Sequence, residues 1–143
     1  EQPTLYIYQN NKASLNALVG KVYNAISGFE LLLWNGNIVE GLDSSDADPR
    51  TAVGLDRPGR RLVIVIVDGR QSGYSEGATL AEMAQLLQQH GAWSGMNMDG
   101  GGSTTLVIEG ADGQPEVLNS PVHQGIPGNE RPVGNHLGIQ AKR

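Results

Sequence analysis

The chain has 143 residues and no cysteine, and its formal net charge is −5. This length suits one domain with a real core, and the missing cysteine excludes disulfides, thiol catalysis and cysteine-ligated metals. The acidic balance, with no basic stripe, argues against nucleic-acid partners, and no apolar run reaches the ~18 residues of a membrane helix. The 20 glycines are about twice the usual ~7%, which predicts many turns or close backbone contacts with a ligand.

The N-terminal part of the sequence predicts strands. Residues 4–8 alternate in polarity and are rich in β-formers, which is typical of a strand. Residues 29–34 and 38–40 flank Asn35-Gly36-Asn37, and an Asn-Gly pair tolerates the positive φ of a tight turn. We therefore expect a β-hairpin across this turn.

Two further strands are predicted in the middle of the chain, after an acidic loop at residues 43–48. Because the ligand pattern of a calcium loop is incomplete there, a solvated loop is favoured over a calcium site. Residues 50–55 form the next predicted strand, followed by a turn at 56–59. Residues 62–67 are apolar on both faces, which predicts a strand in the centre of a covered sheet.

One helix is predicted over residues 79–90. Thr79 and Glu82 form a capping box, and Gly91 is suited to a left-handed C-terminal cap. Four apolar side chains share one face at helical spacing, namely Leu80, Met83, Ala84 and Leu87.

The C-terminal part again predicts strands. Residues 94–98, 104–109 and 116–119 are strand candidates, residues 122–132 form a long polar loop, and residues 135–141 alternate as a last strand.

The expected fold class is α+β, because strands surround a single helix. We expect a mixed β-sheet with one main crossover helix over residues 79–90, together with several hairpins. All of residues 1–143 are expected to form one domain.

Two acidic residues occupy equivalent positions in the predicted order of elements. Asp68 and Asp99 each follow a strand and precede a glycine, and the predicted helix lies between them. If the two strands are parallel and near neighbours, both aspartates emerge at one edge of the sheet, where ligand crevices form. The sequence therefore predicts that they share a pocket.

A run of three glycines and an arginine are further site candidates. Gly100-Gly101-Gly102 exposes backbone N–H groups without side-chain bulk, so it could wrap an oxyanion or support a sugar ring. The alternative is a tight hairpin turn, although such a turn needs only one or two glycines. The planar fork of Arg70 suits a phosphate or carboxylate, and the alternative for Arg70 is a salt bridge to a nearby acid.

Several other chemistries are disfavoured. The glycine run lacks the lysine of a nucleotide-binding phosphate loop, and no Gly-x-Ser-x-Gly elbow occurs. His90, His123 and His136 show no metal-ligand spacing. We predict neither a metal nor a cofactor.

The order of these motifs resembles the phosphodiester glycosidase family. The resemblance is good from residue 50 to the C-terminus and loose over residues 1–49. It rests on residues 50–54, 67–70, 75–80, 98–103 and the tail 119–138. It implies hydrolysis of a sugar-1-phosphodiester, of the α-N-acetylglucosaminyl type, to the free sugar and a phosphomonoester.

The resemblance also implies a set of site residues. Asp99, Asp68 and Arg70 match residues of the family's motifs and are the expected catalytic residues, and the roles of the two acids stay open. Glycoside cleavage commonly uses two carboxyl groups, and an arginine can stabilise a departing phosphate. The implied substrate-binding residues are Arg50, Ser75, Thr79, Gly100, Gly101, Gly102, Ser103, Arg131 and Asn135.

One part of the family pattern has no counterpart here, an N-terminal portion with an Asn-Gly-Gly-Phe-like segment. We therefore expect the chain to match the C-terminal portion of the domain. An exposed sheet edge or apolar patch would then be covered by a complementing N-terminal chain or a homo-oligomer. The alternatives to an enzyme are a non-catalytic glycan- or phosphate-binding module and a structural half that needs a partner chain. The first residue is not methionine, which fits a removed leader and a secreted or periplasmic location, or a piece of a longer chain.

Overall fold

The computed structural model describes residues 2–141, which begin with a small antiparallel sheet. Its strands are β1 (Thr4–Tyr8), β2 (Ala13–Leu15) and β3 (Val22–Ser27), in the order β2-β1-β3. The prediction of β1 is confirmed. The other two strands were not predicted, because β2 has only three residues and β3 carries no strong apolar alternation.

A five-stranded sheet forms the centre of the fold. Its order is β5-β4-β8-β6-β7, and every neighbouring pair is antiparallel. The strands are β4 (Leu31–Trp34), β5 (Asn37–Ile38), β6 (Arg50–Leu55), β7 (Leu62–Val67) and β8 (Ser94–Asn97). The predicted hairpin is present between β4 and β5, where Asn35 and Gly36 both have positive φ.

One helix, α1 (Leu80–Gln89), connects β7 to β8 and covers one face of the main sheet. The capping box of Thr79 and Glu82 is present, and Gly91 has a φ of +83° after the helix. The α+β class with one crossover helix and several hairpins is thus confirmed. No helix within residues 2–141 is long and apolar enough to cross a membrane.

The chain after α1 and β8 forms short elements rather than long strands. In place of the predicted strands at 104–109 and 116–119, the structure has a hairpin of two strands with three residues each. The predicted last strand at 135–141 is irregular. Without a neighbour to accept its hydrogen bonds, an alternating sequence does not become a strand. The elements are β9 (Val107–Glu109), β10 (Pro115–Val117), β11 (Val122–His123) and β12 (Ile126–Pro127).

The core has two parts, one on each face of β6. Ala52 packs in the cluster that contains the apolar face of α1, whereas Val53 and Leu55 pack with Leu5 of the N-terminal sheet. Because successive residues of a strand point to opposite faces, β6 lies in the middle of three layers.

Strand β7 is at the edge of the main sheet, so its predicted central position is wrong. Val63, Val65 and Val67 pack against the helix-side cluster, and Leu62 packs against the other. Ile64, by contrast, is 38% exposed. Apolar residues on both faces indicate that both faces are at least partly covered, but they carry no information about pairing along the strand's edges.

The capping box yields a pH-dependent prediction. The Thr79 N–H and hydroxyl both donate to Glu82 Oε2, at 2.8 and 3.0 Å. These hydrogen bonds, the backbone one foremost, lower the pKa of Glu82 below its usual 4.5. A carboxyl group with a lowered folded-state pKa stabilises the fold above its unfolded pKa, and the contribution disappears as the pH falls through the folded pKa.

Glu82→Gln should therefore lower the free energy of unfolding by about 0.3–1 kcal/mol at neutral pH, and the difference from wild type should shrink as the pH falls below 4.5. Urea unfolding at several pH values measures this. Glu76→Gln is the matched control and should match wild type throughout. A deficit for Glu82→Gln that is the same at all pH values would contradict the account.

Candidate active site

The sheet register brings the two acidic strand ends to one edge. Strands β7 and β8 each pair antiparallel with β6, which lies between them, so they run parallel to each other. Asp68 and Asp99 follow them at the edge where Arg50 begins β6. The two strands that precede Asp68 and Asp99 are therefore parallel, as the sequence led us to expect, but β6 lies between them.

Asp68 accepts three hydrogen bonds from the protein. Its Oδ1 accepts from Asn119 Nδ2 at 2.8 Å, and its Oδ2 accepts from Tyr74 Oη and the Ser120 N–H, both at 2.9 Å. The bond to Asp68 is the main reason that the pKa of the Tyr74 phenol is raised. Asp68 thereby anchors two loops to the end of β7.

Asn119 links Asp68 to the turn that follows Asp99. Besides donating to Asp68, its Nδ2 donates to the Thr104 carbonyl at 2.9 Å, and its Oδ1 accepts from the Leu106 N–H at 2.8 Å. One amide side chain therefore bridges the ends of the two acidic loops.

Asp99 is in a different environment, with 60% of its side chain exposed. Its Oδ2 accepts from Arg131 Nη2 at 3.0 Å, and its Oδ1 accepts from the Gly100 N–H at 3.0 Å. The Arg131 guanidinium also donates to Ser103 Oγ through both Nε and Nη2. Asp99 is thus oriented by one cation and remains accessible to a solute.

Arg70 forms a salt bridge to a nearby acid, which was the alternative to ligand binding expected from the sequence. Its Nε and Nη2 donate to the two carboxylate oxygens of Asp48, at 2.7 and 3.1 Å. This pairing raises the pKa of the guanidinium, which therefore stays charged. Its Nη1 faces Gly101, 3.0 Å from where a Cβ on that glycine would lie.

The glycine turn packs closely against the protein. A Cβ on Gly100 would lie 2.7 Å from the Pro49 carbonyl oxygen, and one on Gly102 would lie 3.2 Å from that of Val122. Most N–H groups of the turn bond within the chain, and across residues 100–104 only that of Gly102 lacks an acceptor in the described structure. The predicted main-chain cradle is therefore reduced to one free N–H, and close packing explains why glycines are needed.

The remaining candidates have structural contacts. Arg50 donates to the carbonyls of Ala78 and Asp46, and Ser75 Oγ donates to the Asp68 carbonyl at 2.6 Å. Thr79 is buried in the capping box. Asn135 is exposed, and its side chain makes no hydrogen bond within residues 2–141. Contacts thus connect the Asp68, Arg70, Asp99, Ser103 and Arg131 regions, and Asn135 is not joined to them.

Sequence reasoning missed several residues that hold this edge together. They are Asp48, Gln71, Tyr74, Asn119 and Ser120, of which Gln71 is buried and bonds to Ser120 through both amide atoms. The one feature of the sequence that pointed to any of them was the tail that resembles the family, which begins at Asn119.

Metal binding finds no support among residues 2–141, where no three acidic or histidine side chains converge on a possible ion. In the acidic loop, Asp43 accepts from the Ser45 hydroxyl and two backbone N–H groups, which lowers its pKa. Asp48 pairs with Arg70. These carboxylates are thus used to shape the loop.

The family model of the phosphodiester glycosidases matches residues 2–140, so the chain belongs to the phosphodiester glycosidase family.

Among the similar proteins, the N-acetylglucosamine-1-phosphodiester α-N-acetylglucosaminidases of Bos taurus and Mus musculus are 46% and 44% identical to this chain over 61 residues. That match covers 43% of this chain and 11% of each relative. The SPbeta prophage-derived uncharacterized protein YomE of Bacillus subtilis is 30% identical over 115 residues, which cover 75% of this chain and 17% of that protein. The chain thus spans a small part of these relatives.

A solved structure shares the fold. The zebrafish N-acetylglucosamine-1-phosphodiester α-N-acetylglucosaminidase catalytic domain, auto-inhibited by its pro-peptide, superimposes with a TM-score of 0.64 at 23% identity. The superposition covers 85% of this chain and 45% of the zebrafish chain.

Two glycines in the loop beside Asp68 give a matched pair of variants. Gly77 has a φ of +119°, and its Cβ would lie 2.4–2.6 Å from the backbone of Asp48, whereas Gly73 has a φ of +79° and open space. Gly73→Ala should cost about 1–2 kcal/mol of stability from its φ alone. Gly77→Ala should cost about 1–3 kcal/mol more, because the loop at Asp48 must move.

Chemical denaturation of both variants measures the difference. Equal losses for the two would show that the backbone contact between Gly77 and Asp48 does not constrain the site.

Proposed function

We propose that this chain hydrolyses a sugar-1-phosphodiester of the α-N-acetylglucosaminyl type, releasing the sugar and a phosphomonoester. Family membership supports this reaction, as do the named activities of the mammalian relatives. The observation that carries the proposal is the accessible Asp99 carboxylate, held by Arg131 on a turn that Arg70 borders from the other side.

The two arginines suit a phosphodiester. In each guanidinium, Nε and Nη2 bond to the protein, and Nη1 has no partner among the described residues. Arg70 Nη1 faces Gly101, and the Arg131 stem lies against Gly102. We place the phosphate between these Nη1 groups, where fixed cations stabilise the charge that develops on a leaving phosphate.

Asp99 faces the sugar in this arrangement. Cleavage of a glycosidic bond passes through an oxocarbenium-like state, whose positive charge a carboxylate stabilises. The C1–O bond breaks and its electron pair stays on the phosphate oxygen. Water then supplies the new oxygen at C1 and releases one proton to the solvent, so atoms and charge balance without a cofactor.

Asp68 has a positioning role in this proposal. Both of its oxygens accept hydrogen bonds from Tyr74, Asn119 and Ser120, which fix the orientation of the carboxylate and lower its nucleophilicity. A phosphate is already a good leaving group, so one reacting carboxylate suffices where two are usual.

A non-catalytic glycan- or phosphate-binding module is the second candidate. The three hydrogen bonds on Asp68 favour it, because glycosidases commonly present two reactive carboxyl groups and these bonds leave Asp68 less available to a substrate than Asp99. Turnover by the wild-type chain separates the two functions.

Asp99→Asn is the direct test of the proposed chemistry. Asparagine keeps the acceptor for the Gly100 N–H but removes the negative charge that stabilises the oxocarbenium-like state, so kcat should fall by about 10²–10³-fold. Binding of a synthetic α-N-acetylglucosamine-1-phosphodiester, measured by calorimetry, should change little.

Asp112→Asn is the matched control, since Asp112 also accepts a backbone N–H, from Gln114, but lies on the exposed β9–β10 turn. It should leave kcat unchanged. A wild-type chain that binds the diester without cleaving it would support the binding module and reject the hydrolase. Undiminished turnover by Asp99→Asn would reject the role given to Asp99.

A further inference from the structure

Strand β7 has one unpaired side. Within the described chain it pairs only with β6, and the Asp56 N–H bonds to the Arg61 carbonyl at 3.1 Å. Because residues of an antiparallel strand alternate between bonding inward and outward, Val63 and Val65 bond toward β6. The N–H and C=O groups of Leu62, Ile64 and Ile66 therefore point away from the sheet.

This edge lacks the features that usually block edge pairing. Natural edges carry charges, prolines or bulges, yet Leu62–Val67 has none of these and pairs with β6 in an unbroken register. A shallow groove runs along it, lined by Arg61, residues 62–66 and His90.

We propose that β7 pairs with β7 of a second copy of this chain, antiparallel about a two-fold axis at Ile64. In this register Ile64 lies opposite Ile64 of the partner subunit, and Leu62 lies opposite Ile66 of the partner subunit. Every outward-bonding residue of the strand then meets an outward-bonding residue, and one sheet continues across both copies.

Charge complementarity selects this occupant and this register. The same pairing sets Arg60 opposite Asp68 of the partner subunit, and symmetry repeats the pair. Arg60 is exposed, and its side chain has no ion pair in the part of the chain that the structure describes. A shift by two residues either way would place Arg60 against Ile66 or Leu62 against Asp68, so among these three registers only the one about Ile64 pairs the two opposite charges.

The pairing also adds a cation to the acidic edge. Arg60 of the partner subunit would lie beside the end of β7, where Asp68 anchors Tyr74 and Asn119. The interface rests on β7 and on the charges of Arg60 and Asp68 at its two ends, and it does not depend on the chemistry proposed for Asp99.

Disulfide trapping tests the register, because the chain has no native cysteine. In Ile64→Cys the two thiols lie on the axis with Cα atoms about 5.5 Å apart, a distance that a disulfide spans. In Ile66→Cys the two thiols lie roughly 13 Å apart, four residues along the strand. Under mild oxidation, Ile64→Cys should form a covalent dimer on a denaturing gel, and Ile66→Cys should form none.

Sedimentation over a concentration series tests the interface without cross-linking. The wild type should self-associate. Ile64→Arg places like charges directly opposite each other and should raise the dimer dissociation constant at least about tenfold, whereas the neutral Ile64→Thr should change it less. Arg60→Glu, at an exposed position, should weaken the dimer even if Ile64→Arg perturbs folding.

Several results would overturn the interface. They are a wild type that is monomeric at every concentration, equal cross-linking of both cysteine variants, and a dimer that neither Ile64→Arg nor Arg60→Glu weakens. If the chain stays monomeric and the edge of β7 binds only a strand from another protein, the edge has a different partner and self-pairing is rejected.

Discussion

The position of β6 between β7 and β8 is the constraint on which the site depends. Antiparallel pairing on both sides forces its two neighbours to run parallel, so the loops after them leave the sheet at the same edge. Burial on both faces fixes this register, because a one-residue slip would turn Ala52 and Val53 to the wrong layers. Strand pairing and core packing therefore place Asp68 and Asp99 at the same edge of the sheet, and no contact between their own side chains is needed for this.

The two acids differ because their loops are fastened differently. Asp68 is held by side-chain and backbone donors from segments six and about fifty residues away, so it works as a structural anchor. Asp99 accepts from Arg131 at one oxygen and from the adjacent Gly100 N–H at the other, and its side chain stays accessible. The bridge through Asn119 couples the two loops, so a change at the anchor should be felt at the accessible acid. An anchored Asp68 and an accessible Asp99 fit a reaction in which cations, rather than a proton donor, stabilise the leaving group.

Much of the fold was predictable from the sequence, because local chemistry determines it. The span of β6, the capping box at Thr79 and the turn at Asn35 follow from propensity and hydrogen bonding between near neighbours. The edge position of β7 was not predictable, since face composition does not report lateral pairing. The partners of Asp68 were missed for a related reason: Asn119 lies 51 residues away, and no periodicity in a single sequence links such positions.

The central claim is that the edge carrying the glycine turn is where the sugar phosphate binds. The most direct measurement is the backbone amide spectrum of isotope-labelled Asp99→Asn protein, titrated with an α-N-acetylglucosamine-1-phosphodiester. The account predicts that the largest shifts fall on Gly101, Gly102 and Ser103 and on the side-chain Nε–H groups of Arg70 and Arg131. Shifts concentrated in the β7 groove or in the β9–β10 hairpin, with the glycine turn unaffected, would contradict it.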